Sequence, residues 1–272
     1  SNTLVLRGVG LCSYQINLNM EDQKVMNRGL VVLGAILIQL ALGAIYAWSV
    51  FTPSLTGEGW AKADTQWVFA IGLASFAIFM VMAGKKMATW GPQKLTFLGG
   101  AVLGLGYLLA GLFGGTNFWV LVLLIGLVGG AGIGFAYVVP IAVGMRWFPD
   151  KKGMITGLAV AGFGFGAMLW VKLAGSWGHL IADFGLSSTF TIYGIIFAVM
   201  VFIGGLWMKF PPSGWKPEGY NEAKAGTSST SSKNKEFTSN EMLSKVQFYL
   251  IFLTFVFSAG AGLMSIGLMK LY

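Results

Sequence analysis

The sequence predicts an all-α membrane protein, and three observations together predict it. Only 10% of the 272 residues are charged and 56% are hydrophobic, at a mean hydropathy of +0.73, whereas a soluble domain carries about 25% charged residues. The apolar residues gather into runs long enough to cross about 30 Å of hydrocarbon at about 1.5 Å per residue. The first three runs and the next three carry matching short motifs, the mark of an internal repeat. The expected architecture is six helices in two triplets, then a linker and a seventh transmembrane helix.

Taken in order, residues 1–26 form an N-terminal extension that holds the single cysteine, Cys12, and a candidate natural start at Met20. The six spans fall near 30–51, 66–83, 95–113, 118–143, 154–175 and 189–208, making one unit over 27–210. Each must be a helix, because lipid offers backbone N–H and C=O groups no other partner. Residues 211–245 mix Pro, Gly, Ser, Thr and Lys, bury no core and read as a cytoplasmic linker. Residues 246–272 open the seventh span. Glycines at 126, 130, 132 and 134 in the fourth span, and at 162, 164 and 166 in the fifth, are expected where helices approach closely.

The cations sort by side. With the amino terminus inside, Lys24, Arg28, Lys85, Lys86, Lys94, Arg146, Lys151 and Lys152 all fall on the cytoplasmic face, while only Lys62 and Lys172 lie near the outer one. The net charge of +8 therefore reflects short basic loops, not a folded basic surface for nucleic acid. One histidine and one cysteine cannot make a metal cluster, so neither a cofactor nor a metal is expected. The segment Arg146-Trp-Phe-Pro-Asp-Lys-Lys-Gly153 reads as a turn between the fourth and fifth spans, with Pro149 ending one helix and Trp147 suited to the interface.

Two matches define the repeat. Gly43-Ala-Ile-Tyr46 in the first span parallels Gly134-Phe-Ala-Tyr137 in the fourth. After the second span, Gly84 precedes Trp90-Gly91; after the fifth, Gly178 precedes Phe184-Gly185. Three spans followed by three place the copies in opposite senses across the membrane, as in secondary transporters with inverted repeats.

These features resemble the major facilitator superfamily. Tyr46-Ala-Trp-Ser-Val-Phe51, the Arg146–Gly153 block with Ala161-Gly-Phe-Gly-Phe-Gly166, and Pro211-Pro-Ser-Gly-Trp215 resemble, more narrowly, the oxalate/formate antiporter family, similar to monocarboxylate transporters. The resemblance implies an amino-terminal half plus the start of the seventh span, with a second half that completes the transporter. It departs at Gly84-x-x-x-Ala88-Thr89-x-Gly91, where the superfamily carries an acid and a base at the positions of Ala88 and Thr89. Gating contacts are expected instead at Gly84, Gly91, Arg146, Asp150, Lys151 and Lys152.

No acid or arginine is expected inside the spans, so the charge that pairs with substrate or couples to protons is assigned by the resemblance to the absent half. This half is left with aromatic walls and hydroxyl donors. Tyr46, Trp48 and Tyr137 fit, since a phenol or indole donates to a carboxylate while its ring excludes water; the alternative for each is a helix interface or the headgroup belt. The resemblance also brings in Phe163, at a position where it implies tyrosine. Gln39 either orients substrate or makes a helix-to-helix hydrogen bond. Lys172 either snorkels to headgroups or attracts entering anions. Two function classes follow. One is a secondary active transporter of small carboxylates of the lactate, formate or oxalate type, by proton symport or anion exchange, in the plasma (inner) membrane. The other is a non-transporting scaffold or partner subunit.

Overall fold

The computed structural model describes residues 26–212, 215, 217 and 239–268; most of the N-terminal extension and of the linker lies outside these. Among the described residues six helices are long and apolar enough to cross a membrane: α1 Arg28–Gly57, α2 Lys62–Trp90, α3 Pro92–Gly114, α4 Phe118–Trp147, α5 Lys152–Ala174 and α6 Leu180–Gly205. A short helix, Ser239–Leu243, precedes α7, Val246–Leu268, whose main contacts are with that short helix.

Packing among the six obeys the repeat. α2 packs on α4 as α5 packs on α1; α3 packs on α4 as α6 packs on α1; the remaining large contacts, α1 with α4 and α3 with α6, map onto themselves. Exchanging the two triplets leaves this pattern unchanged. The matched glycines Gly91 and Gly185 share one backbone conformation, at φ 80°, ψ 155° and φ 76°, ψ 176°, a region that side chains with a Cβ rarely enter. Gly91 separates α2 from α3, and Gly185 breaks α6 near its start.

The second helix is longer than its apolar run. α2 continues through Gly84-Lys-Lys-Met-Ala-Thr to Trp90, so the expected loop shrinks to Gly91. Lys, Met and Ala are good helix formers, and a helix need not stop where hydrocarbon does. Likewise α6 starts at Leu180, runs a short first segment and is broken at Gly185 before its main length.

α1 also changes pitch. It is a regular α-helix over Arg28–Leu42, capped by the Asn27 side chain, then tightens into a 3-10 helix over Gly43–Val50. The last α-type bond of that first segment runs from Gly43 N–H to the Gln39 carbonyl, and the change of ladder leaves the Leu40 carbonyl without an in-register donor. Trp170 of α5 fills the gap, its Nε1 donating to the Leu40 oxygen at 2.7 Å. Tyr193 of α6 in turn donates to the Trp170 carbonyl at 2.5 Å, which ties three helices through two backbone oxygens.

Candidate functional site

Two crossings at backbone contact position the site. Gly43 of α1 lies against the Phe163 carbonyl of α5, where a Cβ would have no room, and a Cβ on Gly134 of α4 would sit 2.7 Å from the Phe76 carbonyl of α2. These crossings are repeat mates. One helical turn on from each glycine stands a tyrosine, and each tyrosine meets the phenylalanine its glycine touches. Tyr46 packs edge-on against Phe163 at 5.3 Å and 80°; Tyr137 packs edge-on against Phe76 at 5.1 Å and 79°.

Phe163 joins the two halves of this cluster, lying 5.1 Å from Tyr137 as well and 6.4 Å from Phe76, and Phe69 of α2 closes it at 6.2 Å from Tyr46. Phe163 is buried, while both tyrosines are half-buried. Neither phenol hydroxyl makes a hydrogen bond among the described residues. The arrangement is an apolar floor of three phenyl rings with two idle donors standing on it.

The other proposed lining residues go elsewhere. Trp48 is 4% exposed, donates its Nε1 to the Thr65 carbonyl at 2.7 Å and lies parallel to Phe190 at 6.3 Å. A step of two residues turns by about 240° in a 3-10 helix and about 200° in an α-helix, so either pitch sends Trp48 away from the direction of Tyr46. Gln39 is fully buried and its Nε2 donates to the Tyr137 carbonyl at 3.2 Å. It therefore bridges α1 to α4 near Pro140, whose missing N–H loosens that helix. Lys172 is exposed near the far end of α5, 5.9 Å from the Trp177 ring.

Arg28, Lys85, Lys86, Lys94, Arg146, Lys151 and Lys152 share one end of the bundle, given the alternation of the helices, and Lys62 and Lys172 share the other. At the basic end, Asp150 finds its partner outside its own loop. Its Oδ1 accepts from Arg28 Nη2 at 3.0 Å, with both side chains 32% exposed. The Arg28 guanidinium also lies 4.2 Å from the Phe148 ring. Arg146 covers Phe210 at 3.8 Å, and Lys151 and Lys152 are exposed and make no ion pair among the described residues. Trp147, expected at the interface, is 1% exposed, because its Nε1 donates to the Lys209 carbonyl at 2.7 Å. Gly84 lies on the open side of α2.

A model of the Major Facilitator Superfamily matches residues 31–272. The chain belongs to the major facilitator superfamily. It is 32% identical over 248 residues to the uncharacterized MFS-type transporter YhjX of Escherichia coli (strain K12), covering 89% of this chain and 57% of that protein. It is 27% identical over 234 residues to the oxalate:formate antiporter of Oxalobacter formigenes, covering 85% of this chain and 52% of that one. It is 26% identical over 152 residues to human monocarboxylate transporter 14, covering 56% and 29%. The chain thus spans about half the length of the first two. Six apolar helices in a 3+3 repeat are the half-fold this membership leads one to expect, and the chain is a multi-pass membrane protein.

Sequence reasoning missed Phe69, Phe76, Arg28, Phe148 and Phe210. Phe76 mates with Phe163 only through the contacts of Gly134 and Gly43, and the Arg28 to Asp150 pair spans 122 positions; neither carried a signal in the sequence.

Proposed function

We propose that the protein containing this chain is a secondary transporter of small organic carboxylates, and that Tyr46 and Tyr137 are the donors this half contributes to the substrate. The observation that carries the reading is the pair of unengaged hydroxyls on repeat-related helices, held over a phenyl floor. A carboxylate has two equivalent oxygens, and two donors related by a pseudo-twofold suit one oxygen each. The floor excludes water, which strengthens both hydrogen bonds but makes an unpaired anion costly, so a cation has to come from outside this unit. The transporter reading gains support from relatives named as an oxalate:formate antiporter and a monocarboxylate transporter.

In this reading residues 246–272 begin the second half, residues 211–245 link the halves, and substrate binds between the two and crosses as they rock. The basic end is cytoplasmic by the inside-positive rule, in the plasma membrane. The test is uptake of labelled lactate, formate and oxalate into vesicles holding the natural full-length protein. Saturable uptake of at least one, competed by the others, is expected; uptake no greater than in empty vesicles for all three would reject the reading.

A further inference from the structure

The six-helix unit does not stop where α6 stops. Beyond Gly205 the chain buries Met208, gives the Lys209 carbonyl to Trp147 Nε1 at 2.7 Å and lays Phe210 under Arg146 at 3.8 Å. Trp215 turns back, its N–H donating to the Pro212 carbonyl at 3.1 Å, and its ring reaches Trp147 at 4.9 Å and the Arg28 guanidinium at 5.5 Å. Pro217 is buried. Arg28 is thus flanked by Phe148 and Trp215 while its edge donates to Asp150.

We propose that the described residues beyond α6, 206–212 with Trp215 and Pro217, are a strap docked across the basic end of the bundle, and that Arg28 and Trp215 are positioning residues for transport. The strap joins the start of α1, the α4–α5 turn and the end of α6, so it fixes the ends of the helices that carry Tyr46, Tyr137 and Phe163. It does not touch substrate. Trp147 lies ten residues beyond Tyr137, about 15 Å along the axis at about 1.5 Å per residue. What the strap sets is how the six helices move as one body when the remainder of the chain pulls on the linker. A planar guanidinium fits between two rings, which a lysine ammonium does not reproduce. Another flat ring can replace the indole.

The inference rests on the transporter reading, and two readouts separate their failures. In the full-length protein in vesicles, trypsin cleavage of the Lys209–Phe210 bond is followed beside carboxylate uptake, for the parent, Trp215→Ala, Trp215→Phe and Arg28→Lys. Docking engages the scissile carbonyl, so Trp215→Ala should speed cleavage by about tenfold or more. The same variant should lower the maximal uptake rate by about threefold or more with half-saturation nearly unchanged. Arg28→Lys should follow Trp215→Ala, and Trp215→Phe should follow the parent. Cleavage unchanged in Trp215→Ala would overturn the strap; faster cleavage with an unchanged maximal rate would overturn the positioning role. No uptake by the parent would sink the transporter reading, and cleavage would still decide whether the strap is docked.

Discussion

Tyr46 and Trp48 stand two residues apart in the stretch of α1 that changes pitch, and, as residues i and i+2 do in any helix, they point to different surroundings. The same change of pitch makes Trp170 a structural residue: its indole satisfies a carbonyl that the helix itself abandons. Trp170→Phe keeps most of the packing and removes the donor, leaving a buried oxygen unpaired at a cost of about 1–3 kcal/mol. A lower melting temperature in detergent is expected for Trp170→Phe, and a parent-like value would mean that the Leu40 carbonyl is satisfied otherwise. At this scale the sequence was partly legible. The two tyrosines could be picked out because their glycine-spaced motifs repeat. Phe69 and Phe76 could not, since 21 phenylalanines in apolar spans look alike until neighbouring helices are placed. Indole chemistry suits Trp48 to a carboxylate, but a two-residue step sets it on a different face from Tyr46 at either pitch.

Among the elements, the glycines divide by what they touch. Gly43→Ala places a methyl on the Phe163 carbonyl, and Gly134→Ala places one 2.7 Å from that of Phe76; either must push two helices apart. Gly164→Ala meets nothing within 4 Å in the described unit and gains helix propensity. Expression and thermal unfolding of the 272-residue chain in detergent should fall for the first two and hold for the third. Equal losses in all three would remove the crossings from the account. By spacing Gly164 belongs with Gly162 and Gly166, and spacing alone does not tell an inner helix face from an open one. Asp150→Asn should be mild. The pair with Arg28 is one-third exposed on each side, where such pairs contribute about 0–1 kcal/mol, and Arg28 keeps its ring contacts. A melting temperature far below the parent's would show that the carboxylate, not the rings, holds this end.

For the whole molecule, the first six spans, the repeat and the family were legible because lipid allows few solutions. A run of apolar residues must be a helix, and short loops reveal their side through Lys and Arg. Boundaries were less so, as helices such as α2 run on past the apolar core. Orientation is open to a direct check with Cys12 replaced by serine. A cysteine at Thr116 should react with an impermeant maleimide in intact cells and one at Lys151 only after permeabilisation; the reverse would invert the topology. The central claim, that a pseudo-twofold pair of phenols binds the substrate carboxylate, is tested by uptake against concentration for Tyr46→Phe, Tyr137→Phe and the double variant at matched surface expression. Each hydroxyl facing a charged, desolvated partner is worth about 1.5–3 kcal/mol, so each single variant should raise half-saturation by roughly tenfold or more. Unchanged half-saturation and maximal rate in all three variants would contradict the claim.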